Sequence, residues 1–301
     1  MGSKQSHRPI GFFLSGPLGL AVASSHVIPH AEKSGMAAFV TVGKTPGLMV
    51  DYENLIIQHL SAQGKVPSSE AETMSRASAA VCVGWRSLID TENDMKDLYV
   101  VHDSLLPELR GWNPLVTAVQ LGLERTGVTL FRAESGPDIG PVLMQRSFDL
   151  GPGVAISEAI EKAGRSAVEI LDSFLEKFIS GDISETPQIE LEASISPWRD
   201  DEDYVVDWSK SSFEIQQFVL SRGFPYQGAR TSVNGTLITV SEVRVSEDLP
   251  ELAISSPGKV FALNNGDPVV ACGSGFVQIS GLRLTNGEPY TISQFRTRFG
   301  I

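Results

Sequence analysis

The chain is predicted to be α/β, with a Rossmann-like parallel-sheet domain over residues 1–180, a linker over 181–200 and a small β-rich, OB-like barrel domain over 201–301. Three observations predict it. Short apolar runs alternate with helix-like stretches through the first half, as in a sheet whose strands return through helical crossovers. A long amphipathic stretch then stops at Gly181, and the residues up to 200 carry no sustained period and hold Pro187 and Pro197. Beyond them, short strand-like segments are punctuated by Asn234-Gly235, Asn265-Gly266 and Asn286-Gly287, which are hairpin and turn signals.

In chain order, residues 1–8 read as a polar tail and Ile10 to Leu14 as the first strand. Ser15-Gly16-Pro17-Leu18-Gly19 is the turn into a helix containing Leu20 and Ala21. Ala37 to Val42, Ala79 to Val83 and Leu98 to Val101 are the next strands, the last delivering His102 at its carboxyl end. Pro114 to Leu123 has helical spacing with proline at the start, where a missing N–H costs nothing. Val128 to Phe131 and Val142 to Phe148 are two further strands. Ile156 to Ile179 is a helix with Ile160, Ala163, Ala167, Ile170, Leu171, Phe174 and Phe178 along one side. In the last domain a short helix over 212–221 precedes strands near Ala229–Val233, Leu237–Val245, Lys259–Leu263, Val269–Cys272 and Phe276–Leu284.

With 301 residues there is enough chain for two cores, and 42% hydrophobic with 20% charged residues is ordinary globular composition. No apolar run reaches membrane-spanning length and the N-terminus lacks the order of a signal peptide, so a cytoplasmic protein is expected. Cys82 and Cys272 lie far apart in apolar runs and read as reduced, buried thiols. The formal net charge of −12, with eight Lys or Arg against eleven Asp or Glu from residue 201 onward, argues against a nucleic-acid partner. Apolar strands in the last domain are compatible with a homodimer.

Chemistry concentrates in two stretches. The first runs from His102 through Ser104, Leu105, Leu106, Pro107, Arg110 and Gly111 to Asn113-Pro114; the second is Gly136-Pro137-Asp138-Ile139-Gly140. An imidazole at a strand's carboxyl end and a carboxylate in a glycine-flanked turn are two groups suited to proton relay during attack on a carbonyl. Taken alone, each has an ordinary role, as a core histidine and a turn aspartate. Ser15-Gly16-Pro17-Leu18-Gly19 lacks the G-x-G-x-x-G spacing, and no acidic residue closes the second strand, so a nicotinamide cofactor is not expected. His26 and His30 have i, i+4 spacing but no third ligand in view, so no metal is expected.

The ordered motifs H-x-S-L-L-P-x-x-R-G-x-x-P from His102, G-V-T-L-F from Gly127, G-x-D-x-G around Asp138 and Gln145 resemble the formyltransferases that use N10-formyltetrahydrofolate. That family includes methionyl-tRNA formyltransferase and the nucleotide-sugar N-formyltransferases. Asp207-Trp208-Ser209, Arg222-Gly223-Phe224-Pro225-Tyr226-Gln227-Gly228-Ala229 and Asn234-Gly235 resemble its C-terminal domain. The resemblance implies that His102 and Asp138 are catalytic. It also implies that the folate co-substrate meets Val83, Gly84, Leu88, Ile89, Ser104, Leu105, Leu106 and Asp138. The expected acceptor is a primary amine on a small molecule, a nucleotide-linked amino sugar. A methionyl-tRNA or hydroxyornithine-type acceptor is the alternative, although Gly43 to Val50 lacks the basic character of a tRNA-gripping loop.

One departure stands out. Two residues before the histidine the family usually has Asn, whose amide donates to the formyl oxygen, and this chain has Val100. Losing such a donor typically costs about 100- to 1000-fold in rate. Three readings follow: His102 as imidazolium carries the oxyanion alone, another donor replaces Asn, or the chain is a non-catalytic folate- or nucleotide-binding module. Arg86, Trp85 and Asn113 are the candidate replacement donors or acceptor contacts.

Overall fold

A computed structural model describes the chain apart from residues 1–7, 88, 90–96, 247, 248, 250, 251, 253, 295 and 301. The expected polar tail, except Arg8, and the expected folate contact Leu88 therefore lie outside the described residues. The first half builds a six-stranded sheet from β1 (Ile10–Leu14), β2 (Ala38–Val42), β3 (Ala79–Val83), β4 (Leu98–His102), β6 (Arg125–Arg132) and β7 (Val142–Asp149), in the order β2-β1-β3-β4-β6-β7. A two-residue strand β5 (Arg110–Gly111) lies outside it. Strands β2, β1, β3 and β4 are parallel. The parallel strands are those of the expected Rossmann-like sheet, and the pairs β4–β6 and β6–β7 add an antiparallel edge to it. For β6–β7 the physical reason is connection length: a parallel return needs a crossover of a dozen or more residues, and Arg132 to Val142 is too short for one.

Helices α1 (Gly16–Ala23), α2 (Val27–Lys33), α3 (Tyr52–Ala62), α5 (Pro114–Gln120) and α6 (Ile156–Ser180) contribute to the core on one face, with Phe12, Val81, Val83, Tyr99 and Val101 of the strands. The amphipathic stripe of α6 buries Ile156, Ala163, Ala167, Ile170, Leu171 and Phe174, and Gly181 ends it in the left-handed conformation. The other face is covered more thinly. There α4 (Glu70–Arg76) supplies Thr73 and Met74 over Phe13, Ala80, Cys82 and Leu98, and Arg76 stacks on Phe39 at 4.2 Å.

Because β1 leads outward to β2 and the chain then returns to β3 on the other side of β1, the sheet reverses direction between β1 and β3. Such a reversal leaves a crevice beyond the carboxyl ends of the strands. Here the backbones meet closely: Ser15 N–H donates to Val83 O at 3.1 Å and the Ser15 hydroxyl donates to Gly84 O. Gly84 has φ +64°, and a Cβ there would lie 2.4 Å from Ser15 O, so glycine is required on both counts.

Residues 181–200 are not a featureless linker. They include β8 (Ile195–Ser196), which pairs in parallel with β5. The last domain opens with α7 (Ser212–Leu220), started by a capping box between Ser211 and Glu214. It continues with β9 (Ala229–Val233), β10 (Thr236–Val240), β11 (Glu242–Ser246), β12 (Val260–Asn264), β13 (Asp267–Ala271), β14 (Phe276–Ser280), β15 (Arg283–Leu284) and β16 (Phe299–Gly300). Two antiparallel sheets result, β15-β10-β9-β16 and β11-β14-β13-β12. The segments expected as single strands over 237–245 and 276–284 each break, at Ser241 and near Gly281, and pass from one sheet to the other. At the opposite end, a bridge between Lys259 and Arg298 joins β12 to the chain entering β16, closing a barrel around Trp208, Val233, Ile238, Val270, Val277, Ile279 and Phe299. The expected Asn-Gly turns form β9–β10 and β12–β13, with Asn234 and Asn265 at positive φ.

Candidate active site

Strand alternation decides what β4 offers to each face. Tyr99 and Val101 enter the helix-covered core, while Leu98, Val100 and His102 point to the thinly covered face. His102 is buried at 6% exposure and meets the Phe131 ring edge-on at 6.5 Å. Its Nε2 lies 3.0 Å from Leu109 O. A carbonyl only accepts, so Nε2 carries the proton, and in the neutral ring Nδ1 is a bare lone pair. That lone pair faces Asp138 Oδ2 across 3.7 Å, too far for a direct hydrogen bond. With the ring neutral, two acceptors face each other there, and a proton arriving at Nδ1 would sit beside the carboxylate.

Both partners are held by backbone. Thr129 Oγ1 donates to Ser104 O at 2.7 Å and accepts from Leu106 N–H and from Gln145 Nε2, each at 3.0 Å, so its capacity is fully used. Ser104 donates to Glu108 O at 2.6 Å, and Leu109 N–H donates to Ser194 Oγ at 2.8 Å, fixing the carbonyl that orients His102. Asp138 sits at φ 54°, and its Oδ2 accepts from Gly111 N–H at 2.7 Å. Gln188 Nε2 donates to Asp138 O at 2.8 Å and to Gly140 O at 2.7 Å, while its Oε1 accepts from Arg110 Nε at 3.0 Å. Gly140 is unreplaceable here, since a Cβ would lie 1.7 Å from Arg132 O.

A cavity of about 320 Å³ opens beyond the strand ends, and His102 and Asp138 line it. Gly84, Trp85, Arg86, Ile89, Val100 and Asn113 line it too, as does Phe131. Val83, Ser104, Leu105 and Leu106 do not. Val83 belongs to the core on the opposite face by strand alternation. The Ser104 hydroxyl is spent within its loop, Leu105 packs over Gly127, and Leu106 is buried under the Thr129 and Gln145 bonds. His26 and His30 meet at a different place, on either side of Asp172 of α6, at 3.1 and 2.6 Å.

Two cavity residues escaped the reading of the sequence. Asp103 also lines the cavity, where burial pushes its carboxyl up, although the His102 ring and the backbone N–H groups of Asp103 and Leu115 favour the charged form. Tyr226 reaches in from the barrel side; burial, then the nearby Asp103 carboxyl, pushes its phenol up. A charged residue directly after a strand-end histidine was a usable signal for Asp103. Tyr226 lies within the Arg222–Ala229 motif, but nothing local shows that it reaches across to the sheet. Cys82 lines the cavity as well, and burial holds its thiol protonated.

The family described as "Formyl transferase" matches residues 27–171, and that described as "Formyl transferase, C-terminal domain" matches residues 199–300. The chain is 28% identical over 196 residues to methionyl-tRNA formyltransferase of Geobacter metallireducens, covering 65% of this chain and 61% of that protein. It thus spans less than two thirds of that relative's length. Among solved structures, HypX from Aquifex aeolicus in complex with tetrahydrofolic acid superposes with a TM-score of 0.65 at 22% identity, covering 93% of this chain and 45% of that one. The N-formyltransferase from Helicobacter canadensis, in complex with folinic acid and dTDP-3-aminofucose, superposes with a TM-score of 0.70 at 14% identity, covering 92% and 100%. At these identities the superpositions speak for the fold.

Proposed function

Since the chain belongs to the formyltransferase family, with matches over residues 27–171 and 199–300, we propose that it transfers a formyl group from N10-formyltetrahydrofolate to a primary amine on a small acceptor, a nucleotide-linked amino sugar. The observation that carries the reading is the pair formed by His102 Nδ1 and Asp138 Oδ2, 3.7 Å apart on the wall of the cavity beyond β4. The amine lone pair forms a C–N bond to the formyl carbon, and the carbonyl oxygen becomes an oxyanion. The ammonium proton passes to His102 Nδ1, and Asp138 stabilises the imidazolium. Collapse breaks the bond from carbon to N10, which takes up a proton, leaving tetrahydrofolate and an N-formylated product.

The cavity wall suits the donor. Trp85, Ile89, Leu98 and Phe131 offer apolar and aromatic surface to a flat ring system, with the His102 and Asp138 pair at one side. Val100 brings no hydrogen-bond donor to the oxyanion. Asn113 is the best replacement: it starts α5 at φ 45° without a side-chain capping bond, so its amide remains available to the cavity. Arg86 is the second.

The test is release of tetrahydrofolate from N10-formyltetrahydrofolate with a panel of nucleotide amino sugars and a control without acceptor. Release that depends on one acceptor and vanishes in His102→Ala supports the reading. Folate binding without release by any amine would identify a binding module. The similarity to a methionyl-tRNA formyltransferase favours methionyl-tRNA as the second acceptor. Salt-sensitive retention of the tRNA with formylation of its amine would select that reading.

A further inference from the structure

A second cavity, of about 210 Å³, lies where the barrel domain meets the sheet domain. It shares Arg86, Asn113 and Tyr226 with the first, so the two are adjoining chambers. Its remaining charged lining is Arg199, Arg230, Asp200 and Asp201. Arg199 donates to Thr117 Oγ1 at 2.5 Å and to Pro197 O at 3.4 Å, but has no ion-pair partner within 4.0 Å among the described residues. Burial pushes its pKa down, against the nearby Tyr204, Tyr226 and Asp203. The buried guanidinium of neighbouring Arg222 is likewise held by carbonyl oxygens of Asp203 and Phe218, not by a carboxylate. Arg86 has neither a hydrogen bond nor an ion pair among the described residues. Arg230 is paired with Asp201 at 3.2 Å, but the Asp201 side chain is 88% exposed and that pair is weak. Asp200 accepts from Glu202 N–H at 2.9 Å.

In a chain of net charge −12, three guanidiniums converge on one cleft, and two of them have no ion-pair partner within 4.0 Å among the described residues. Desolvating Arg199 without a carboxylate partner is unfavourable, while Arg86 is exposed at the mouth of the cleft; a planar guanidinium binds phosphate oxygens in bidentate fashion. We propose that this cleft is the anion subsite of the acceptor, in which Arg199, with Arg86 and Arg230, holds the pyrophosphate of a nucleoside diphosphate-linked amine. The amine then passes Asn113 towards His102. This proposal rests on the small-acceptor reading above and gives it a location.

The test uses the full chain and needs no turnover, so its failure is separable from failure of formyl transfer. Inorganic pyrophosphate, dTDP and thymidine are titrated calorimetrically into the wild type, Arg199→Gln, Arg199→Gln/Arg230→Gln and the exposed control Arg244→Gln, with thermal melts confirming that each variant folds. Pyrophosphate and dTDP should bind and thymidine should not. Arg199→Gln should weaken dTDP about 10- to 100-fold, as expected for loss of a charge-assisted contact, while Arg244→Gln leaves it unchanged. The proposal is overturned if neither anion binds, if folded Arg199→Gln binds as well as wild type, or if Arg244→Gln weakens binding equally.

Discussion

At the scale of single residues, the tautomer of His102 is set by a backbone carbonyl and its proton-accepting nitrogen is aimed at a carboxylate. Asp138→Asn keeps the bond from Gly111 N–H through its carbonyl oxygen but removes the charge. Its kcat should fall by about 100-fold or more, the size of a general acid–base contribution, with folate affinity little changed; an unchanged kcat would remove Asp138 from the mechanism. Asn113→Ala tests the replacement oxyanion donor and should lower kcat about 100- to 1000-fold. Asp103 yields a pH prediction. Its folded pKa is raised above the usual 3.8, so the folded state holds the proton after the unfolded state has released it, and stability falls as pH rises above that value. Asp103→Asn should therefore raise the melting temperature at neutral pH, and the gain should vanish below about pH 4. A gain that persists in acid would refute this. The pair His102 and Asp138 was legible because residue type, strand end and glycine-flanked turn coincided. The fate of the loop 104–106 was not, since whether a side chain faces a cavity or its own scaffold depends on bonds to Thr129 and Gln145 that lie far along the chain.

At the scale of elements, residues 181–200 act as a brace that reaches both halves of the site. Gln188 holds the Asp138 turn and Ser194 holds the Leu109 backbone, while β8 pairs with β5 beside Gly111. Gln188→Ala should lower kcat more than it raises the KM for folate, because it loosens the pair without touching the cavity wall; equal kcat would make the brace purely structural. No period could reveal this stretch, because it works through isolated residues and one two-residue strand. Helix α3 was not assigned from the sequence, and neither were α2 and α4, these two for related reasons. Each has seven residues, and in α4 Thr73 is the buried position, so there is no apolar stripe to read. The antiparallel pairing of β6 with β7 was legible in principle from their short connection, although an apolar run looks the same in either direction. By contrast, α6 and the Asn-Gly hairpins were plain, since long amphipathic periods and positive-φ turn residues are local properties.

At the scale of the whole molecule, one core face joins the sheet to α6, and Phe174 is fully buried against Tyr99 and Phe178. Phe174→Ala should cost about 3–5 kcal/mol of stability by chemical denaturation. A much smaller loss would mean that the helix is not fastened there. The barrel is joined to the sheet domain by α5 packing on α7 and by Arg222 donating to Gln120 at 3.2 Å. Neither contact announces itself in sequence, and both decide that Tyr226 reaches the sheet domain's cavity. That reach has a thermodynamic consequence. A molecule seated across both chambers has affinity only for the arrangement in which the two domains are docked, so its binding energy opposes undocking as well as unfolding. At a concentration of a hundred times its dissociation constant it would add about 2.7 kcal/mol to that arrangement. Scanning calorimetry would then show the sheet and the barrel melting as one cooperative unit, at a temperature that climbs with the logarithm of acceptor concentration.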